Sequence, residues 1–113
     1  MLYDKKIKYL HVYERGERLQ NVGFVKTQIR EDKVLVQIHV DKLRQTDGGR
    51  VFVMLKAGDK EGVLGEIQLQ NGCGALECSD LSGLDLADGI SYQDLEEVYM
   101  KLPGDRILRS IFK

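Results

Sequence analysis

Two histidines, two cysteines and a run of aspartates are the side chains here whose chemistry could go beyond that of an ordinary folded surface. His11 and His39, if carried on adjacent strands, could recruit Cys73 or Cys78 to a metal ion. A tetrahedral site needs three or four converging ligands, and the spacing here carries none of the usual ligand signatures. A cysteine nucleophile activated by either histidine asks for the same convergence. Asp80, Asp85, Asp88 and Asp94 could gather oxygens around Ca²⁺, which takes six to eight of them. They lack the alternate spacing of a calcium loop, and Asp among Gly and Ser is ordinary turn chemistry. Gly58, Gly62 and Gly65 lie near Lys60, but no helix follows to aim its N–H groups at a phosphate. The patterns G-x-x-x-x-G-K-[ST], H-E-x-x-H, G-x-S-x-G and paired C-x-x-C are absent. The expectation is a protein that is not an enzyme, with no cofactor and no catalytic or metal-binding residues; a small hydrolase or metal enzyme is the third reading.

Tyr3, Tyr9, Tyr13, Tyr92 and Tyr99 are a separate resource. In a chain without tryptophan, exposed tyrosines are the natural platform for stacking a sugar or a peptide. Tyr9 and Tyr13 share one face of a predicted strand, which makes them the candidate ligand platform. Tyrosine also favours strands for packing reasons alone. Cys73 and Cys78, five residues apart, fall on opposite faces of a continuous strand, so two free thiols are expected.

At 113 residues the chain is read as one domain, 1–113, that buries roughly 65% of its unfolded surface. Its apolar fraction of 42% beside 31% charged residues excludes disorder. A net charge of −1 gives no general reason to bind nucleic acid. Residues 1–60 balance at +5 and residues 61–113 at −6, and the two halves are expected to interleave and largely cancel. No stretch approaches the ~20 apolar residues of a membrane span, and the first residues lack a signal-type apolar run. No membrane association and a cytoplasmic location are the expectation.

The positioning elements follow from period-2 alternation. The best-patterned stretch is a hairpin, Asn21–Arg30 and Lys33–Val40, turning at Glu31-Asp32. Val25, Thr27 and Ile29 with Val34, Val36, Ile38 and Val40 form its core face, and a one-residue slip would expose that whole row. Lys6–Tyr13 reads as a strand before it, with Glu14–Gln20 a loop. After it come a polar loop over 41–50 with its turn at Thr46-Asp47-Gly48-Gly49, an apolar strand Arg50–Lys56 covered on both faces, and a connection over Ala57–Gly62. A strand over Glu66–Gln70 then reaches the hairpin turn Asn71-Gly72, which leads into Gly74–Cys78. Asp80–Asp94 is expected to be a long loop. Tyr92, Leu95, Val98, Tyr99 and Leu102 also fit helical spacing. The turn at Pro103-Gly104-Asp105 favours a hairpin of Glu97–Leu102 with Arg106–Phe112, after a short helical turn near 91–96. Eight strands at roughly ten-residue spacing predict an all-β fold, an antiparallel β-sandwich of immunoglobulin-like or jelly-roll-like form.

Tyr9, Tyr13 and Gly16, then Asn21, Gly23, Phe24, Lys26 and Arg30, then Ile38-His39, give the chain a resemblance to an uncharacterised β-rich domain family of Gram-positive bacteria. Gly62-Val63-Leu64-Gly65 and Gly89-Ile90-Ser91 extend the likeness into the second half. The resemblance implies no activity and no functional residues.

The outer face of the central hairpin, Phe24, Lys26, Gln28 and Arg30 beside Leu35, Gln37 and His39, is mixed and cationic. Phe24, Lys26, Gln28, Arg30, Gln37 and His39 are therefore the candidate partner surface. The leading expectation is a non-catalytic binding module making protein–protein contact or self-associating. A carbohydrate-binding module using surface tyrosines and the Asp-rich loop is the alternative.

Overall fold

Alternation of buried and exposed side chains builds an all-β molecule. The structure, a computed structural model, describes residues 3–31, 33–44, 49–82 and 85–112, with the backbone alone at residues 3, 80–82 and 85. Its strands are β1 (Tyr3–Glu14), β2 (Glu17–Arg30), β3 (Lys33–Val40), β4 (Arg50–Ala57), β5 (Lys60–Gln68), β6 (Gly74–Ser82), the short β7 (Asp85–Ala87) and β8 (Ile90–Ser91), β9 (Glu97–Lys101) and β10 (Arg106–Ile111). A 3-10 turn at Tyr92–Asp94 precedes β9.

Eight strands form one antiparallel sheet in the order β5-β4-β9-β10-β1-β2-β3-β6, and β7 pairs with β8 apart from it. The sheet curls until its two edge strands meet, so the molecule is nearly closed like a barrel, 44 × 28 × 21 Å in extent. Among the described residues no backbone ladder seals the seam. Gly65 passes so near the Leu76 side chain, and Gly74 so near Ile67, that a methyl group at either glycine would collide. The all-β, antiparallel expectation holds, and each of the eight expected strands is present. Pairing runs through all eight without dividing them into two facing sheets.

The central hairpin has the expected register, from Gly23↔Val40 to Arg30↔Lys33. Its Val/Ile row is buried together with Thr27, and each such apolar side chain contributes about 1.5–3 kcal/mol on leaving water. Leu10, Val53, Leu55, Ile67, Met100 and Leu108 complete the interior from the other strands, and Leu86, Ile90, Tyr92 and Leu95 belong to the same core cluster. Thr27 and Tyr92 share a buried hydroxyl–hydroxyl hydrogen bond of 2.9 Å.

Several boundaries differ from the expectation. Glu14–Gln20 is a two-residue turn at Arg15-Gly16 followed directly by β2, because both its flanks extend past the core and can be charged on either side. Ala57–Gly62 shrinks to a turn at Gly58-Asp59, and β5 begins at Lys60. β4 is covered on one face only: Val51, Val53 and Leu55 are buried while Phe52 is 48% exposed. The Asp80–Asp94 loop is largely strand, since β6 continues to Ser82 and β7 and β8 follow. The hairpin of β9 with β10 is confirmed, and the 3-10 turn lies within the expected helical stretch. Asp32, and residues 46–48 of the expected turn, lie outside the described residues.

Candidate functional site

Antiparallel register decides which side chains stand together on the outer wall. Tyr9 on β1 lies opposite Phe24 on β2, Phe24 opposite His39 on β3, and His39 opposite Ala75 on β6. The four make one row across four strands. Ile7, Lys26, Gln37 and Glu77 make the next row, and Lys5, Gln28 and Leu35 begin a third. Phe24 and His39 stack at 5.6 Å between ring centroids with a 26° interplanar angle. Gln37 Nε2 donates to Glu77 Oε2 at 3.3 Å, and His39 Nε2 stands 4.0 Å from Asp41 Oδ2. An open depression of about 420 Å³ lies here, with Phe24, Lys26, Gln37, His39 and Glu77 among its lining. The candidate surface residues Phe24, Lys26, Gln28, Arg30, Gln37 and His39 are thus assembled on one face, half-buried or exposed.

A conformational device positions this face. Asn21 Oδ1 accepts a hydrogen bond from the Gly23 N–H at 3.1 Å, and the β1–β2 register shifts beside it. Gly23 runs so close to β3 that a Cβ there would lie 1.9 Å from the His39 carbonyl oxygen. Only glycine permits that approach. It seats Phe24 beside His39 and lets Val22 accept from the Asp41 N–H at 2.7 Å.

The candidate platform divides. Tyr9 is 60% exposed and joins the aromatic row. Tyr13, on the same face of β1, is half-buried and holds the Arg109 guanidinium 5.1 Å from its ring centroid. Arg109 Nε in turn lies 3.0 Å from Glu97 Oε1. Nearby, the Tyr99 hydroxyl donates to Glu61 Oε1 at 2.7 Å. Burial first, then Glu61 and Glu97, push the Tyr99 phenol up to about 12. Sequence patterning missed this belt, because its members lie on β1, β5, β9 and β10 and only the strand order brings them together.

The metal and nucleophile ideas find no cluster. His11 and His39 lie on β1 and β3 with β2 between them, and neither cysteine is beside them in register. Cys73 is an exposed free thiol and Cys78 a half-buried one whose pKa is raised by burial. Asp88 Oδ2 accepts from the Val63 N–H at 2.8 Å, and Asp94 Oδ2 accepts from Ser91 Oγ at 3.1 Å. The side chains of Asp80 and Asp85 lie outside the described residues. Among the described residues no three His, Cys, Asp or Glu side chains are grouped to hold a metal ion, and no helix is long and apolar enough to cross a membrane.

Charge is sorted around the barrel instead of cancelling. Residues 57–97 hold ten Asp and Glu against one Lys, while the rest of the chain holds sixteen Lys and Arg against eight Asp and Glu. The acidic segment supplies β5 to β8, which meet at the seam. The β10–β1 junction, flanked by Lys5, Lys6, Lys8, Arg106 and Arg109, lies diametrically across in the strand order. No family model, no curated protein and no solved structure matches the chain.

Proposed function

We propose that this flattened, sandwich-like barrel is a non-catalytic interaction module of the cytoplasm, contacting a protein partner through the outer face of β1, β2 and β3. The observation that carries the reading is the row Tyr9, Phe24 and His39, aligned at one level across three strands with Lys26 and Gln37 beside it. Aromatic side chains fixed by a rigid sheet supply contact area at low cost in conformational entropy, which suits them to anchor an interface. Photo-crosslinking tests it. A photoreactive phenylalanine analogue at position 9 is expected to give a discrete protein adduct in cells, absent from the same analogue at the exposed Val63 and lost on Phe24→Ser. No adduct at position 9 overturns the reading.

A carbohydrate ligand is the second reading, favoured by the depression in which Phe24 and His39 stand beside Lys26, Gln37 and Glu77. Flat rings with amide, carboxylate and ammonium groups at their rim suit a sugar's apolar face and hydroxyls. A glycan array with and without Ca²⁺ decides this, and silence in both conditions removes it.

A further inference from the structure

The ladder between β1 and β10 runs only from His11 to Glu14, whereas β2 accompanies β1 from Tyr3 onward. Beyond Arg109, β10 follows β9: Ile111 pairs with Glu97, and the Phe112 N–H donates to the Glu96 carbonyl at 2.8 Å. Among the described residues, no strand pairs with Asp4 to Leu10 on the side away from β2. Every second residue of that stretch turns its N–H and C=O into the opening. Ile7 at 48%, Tyr9 at 60% and Ile111 at 49% exposure mark its surroundings. An edge with unpaired backbone and apolar neighbours is a template for one more strand.

The side chains decide which strand fits. Lys5, Ile7 and Tyr9 stand on the outer face of β1, and Lys6 and Lys8 on the other, opposite Thr27 and Val25 of β2. A second copy laid antiparallel on the same edge brings Lys6 against Lys8 in one register and, in the next, Lys6 against its own equivalent with Lys8 facing Asp4. Like charges directly opposite one another destabilise a sheet. A strand with carboxylates on one face and apolar side chains on the other meets lysines with the first and Ile7 and Tyr9 with the second.

We propose that the free edge of β1, from Asp4 to Leu10, takes up an extended segment of a partner protein that alternates acidic and apolar residues, as an added strand. This goes beyond the face contact proposed above and needs neither Phe24 nor His39.

The probe is a fluorescein-labelled peptide, Glu-Val-Glu-Val-Glu-Val-Glu, titrated into the full chain by anisotropy, with backbone amide exchange followed by NMR. Binding is expected to weaken with salt and to slow exchange at alternate amides between residues 4 and 10. The double substitution K6E/K8E should weaken it about tenfold or more, while Phe24→Ser leaves it unchanged, so that failure at the edge and failure at the face read out separately. If circular dichroism shows K6E/K8E unfolded, Lys6→Gln with Lys8→Gln takes its place, with the same direction expected. Absence of binding at millimolar protein overturns the proposal. So does equal binding of the peptide N-methylated at alternate residues, which means charge attraction without a strand. Tighter binding of an oligothymidylate overturns it in favour of a nucleic-acid surface, and a dimer joined through β1 that the peptide does not dissolve overturns it in favour of self-pairing.

Discussion

The Thr27–Tyr92 pair is the clearest case of one residue constraining another across the core. Thr27 is 1% exposed and points inward among valines and isoleucines, where a hydroxyl without a partner is costly. The phenol of Tyr92, brought in by the 3-10 turn, supplies the partner. Tyr92→Phe leaves the threonine hydroxyl buried and unpaired, and should lower stability by about 1–3 kcal/mol in urea denaturation. Thr27→Val beside it removes the stranded group, so the double variant should be more stable than the sum of the single losses predicts. Strict additivity would show that the two hydroxyls do not interact. Alternation placed Thr27 on the core face of its strand correctly, but nothing local to residue 27 or residue 92 announces their meeting, 65 positions apart.

At the scale of elements, the hairpin of β2 and β3 depends on a single glycine. Gly23→Ala drives a methyl group into the His39 carbonyl and must part the two strands, at a cost of about 2–4 kcal/mol. Thermal denaturation measures it, and an unchanged midpoint would mean that the strands approach less closely than described. The strands themselves were legible in the sequence because one buried face imposes period 2, and each of the eight was found. Their ends were not. Arg18, Leu19 and Gln20 are exposed although they belong to β2, so no alternation marks them. Gly62 reads as a turn residue, yet it lies within β5 because the Asp88 side chain packs where a Cβ would stand. Asn71-Gly72 forms the hairpin turn that its residue types predict, with positive φ at both residues and paired hydrogen bonds between Gln70 and Cys73. Beyond that turn β5 and β6 stay in contact through side chains without forming a ladder, which no turn signal reports. The candidate surface was legible in its membership, since alternation puts Phe24, Lys26, Gln28 and Arg30 on one face. Its extension to Tyr9 was not, because Glu14–Gln20 reads as a loop and two register shifts between β1 and β2 hide which residue faces Phe24.

For the molecule as a whole, the sorting of charge and the side-chain belt describe one wall. From Tyr13 through Arg109 and Glu97, and through Tyr99 to Glu61, polar contacts run around the barrel from β1 towards β5. The belt has a pH signature. The Tyr99 phenol is raised from its ordinary 10 to about 12, so between these values the unfolded chain releases a proton that the folded chain holds. Its contribution is intact below about pH 10 and falls away as pH rises towards 12. Denaturation across this range should show stability declining more steeply in the wild type than in Tyr99→Phe, and identical slopes would remove the Glu61–Tyr99 bond from the account. The short β1–β10 ladder has a consequence of another kind. Its four pairs join residues near the two ends of the chain, the greatest separation along the sequence of any two paired strands. Contacts of that span form slowly, because much of the chain must be ordered before they are rewarded. The junction is therefore placed to be a late event in folding and an early one in unfolding, and the four pairs that join the two halves of the sheet stand beside the unpaired stretch of β1.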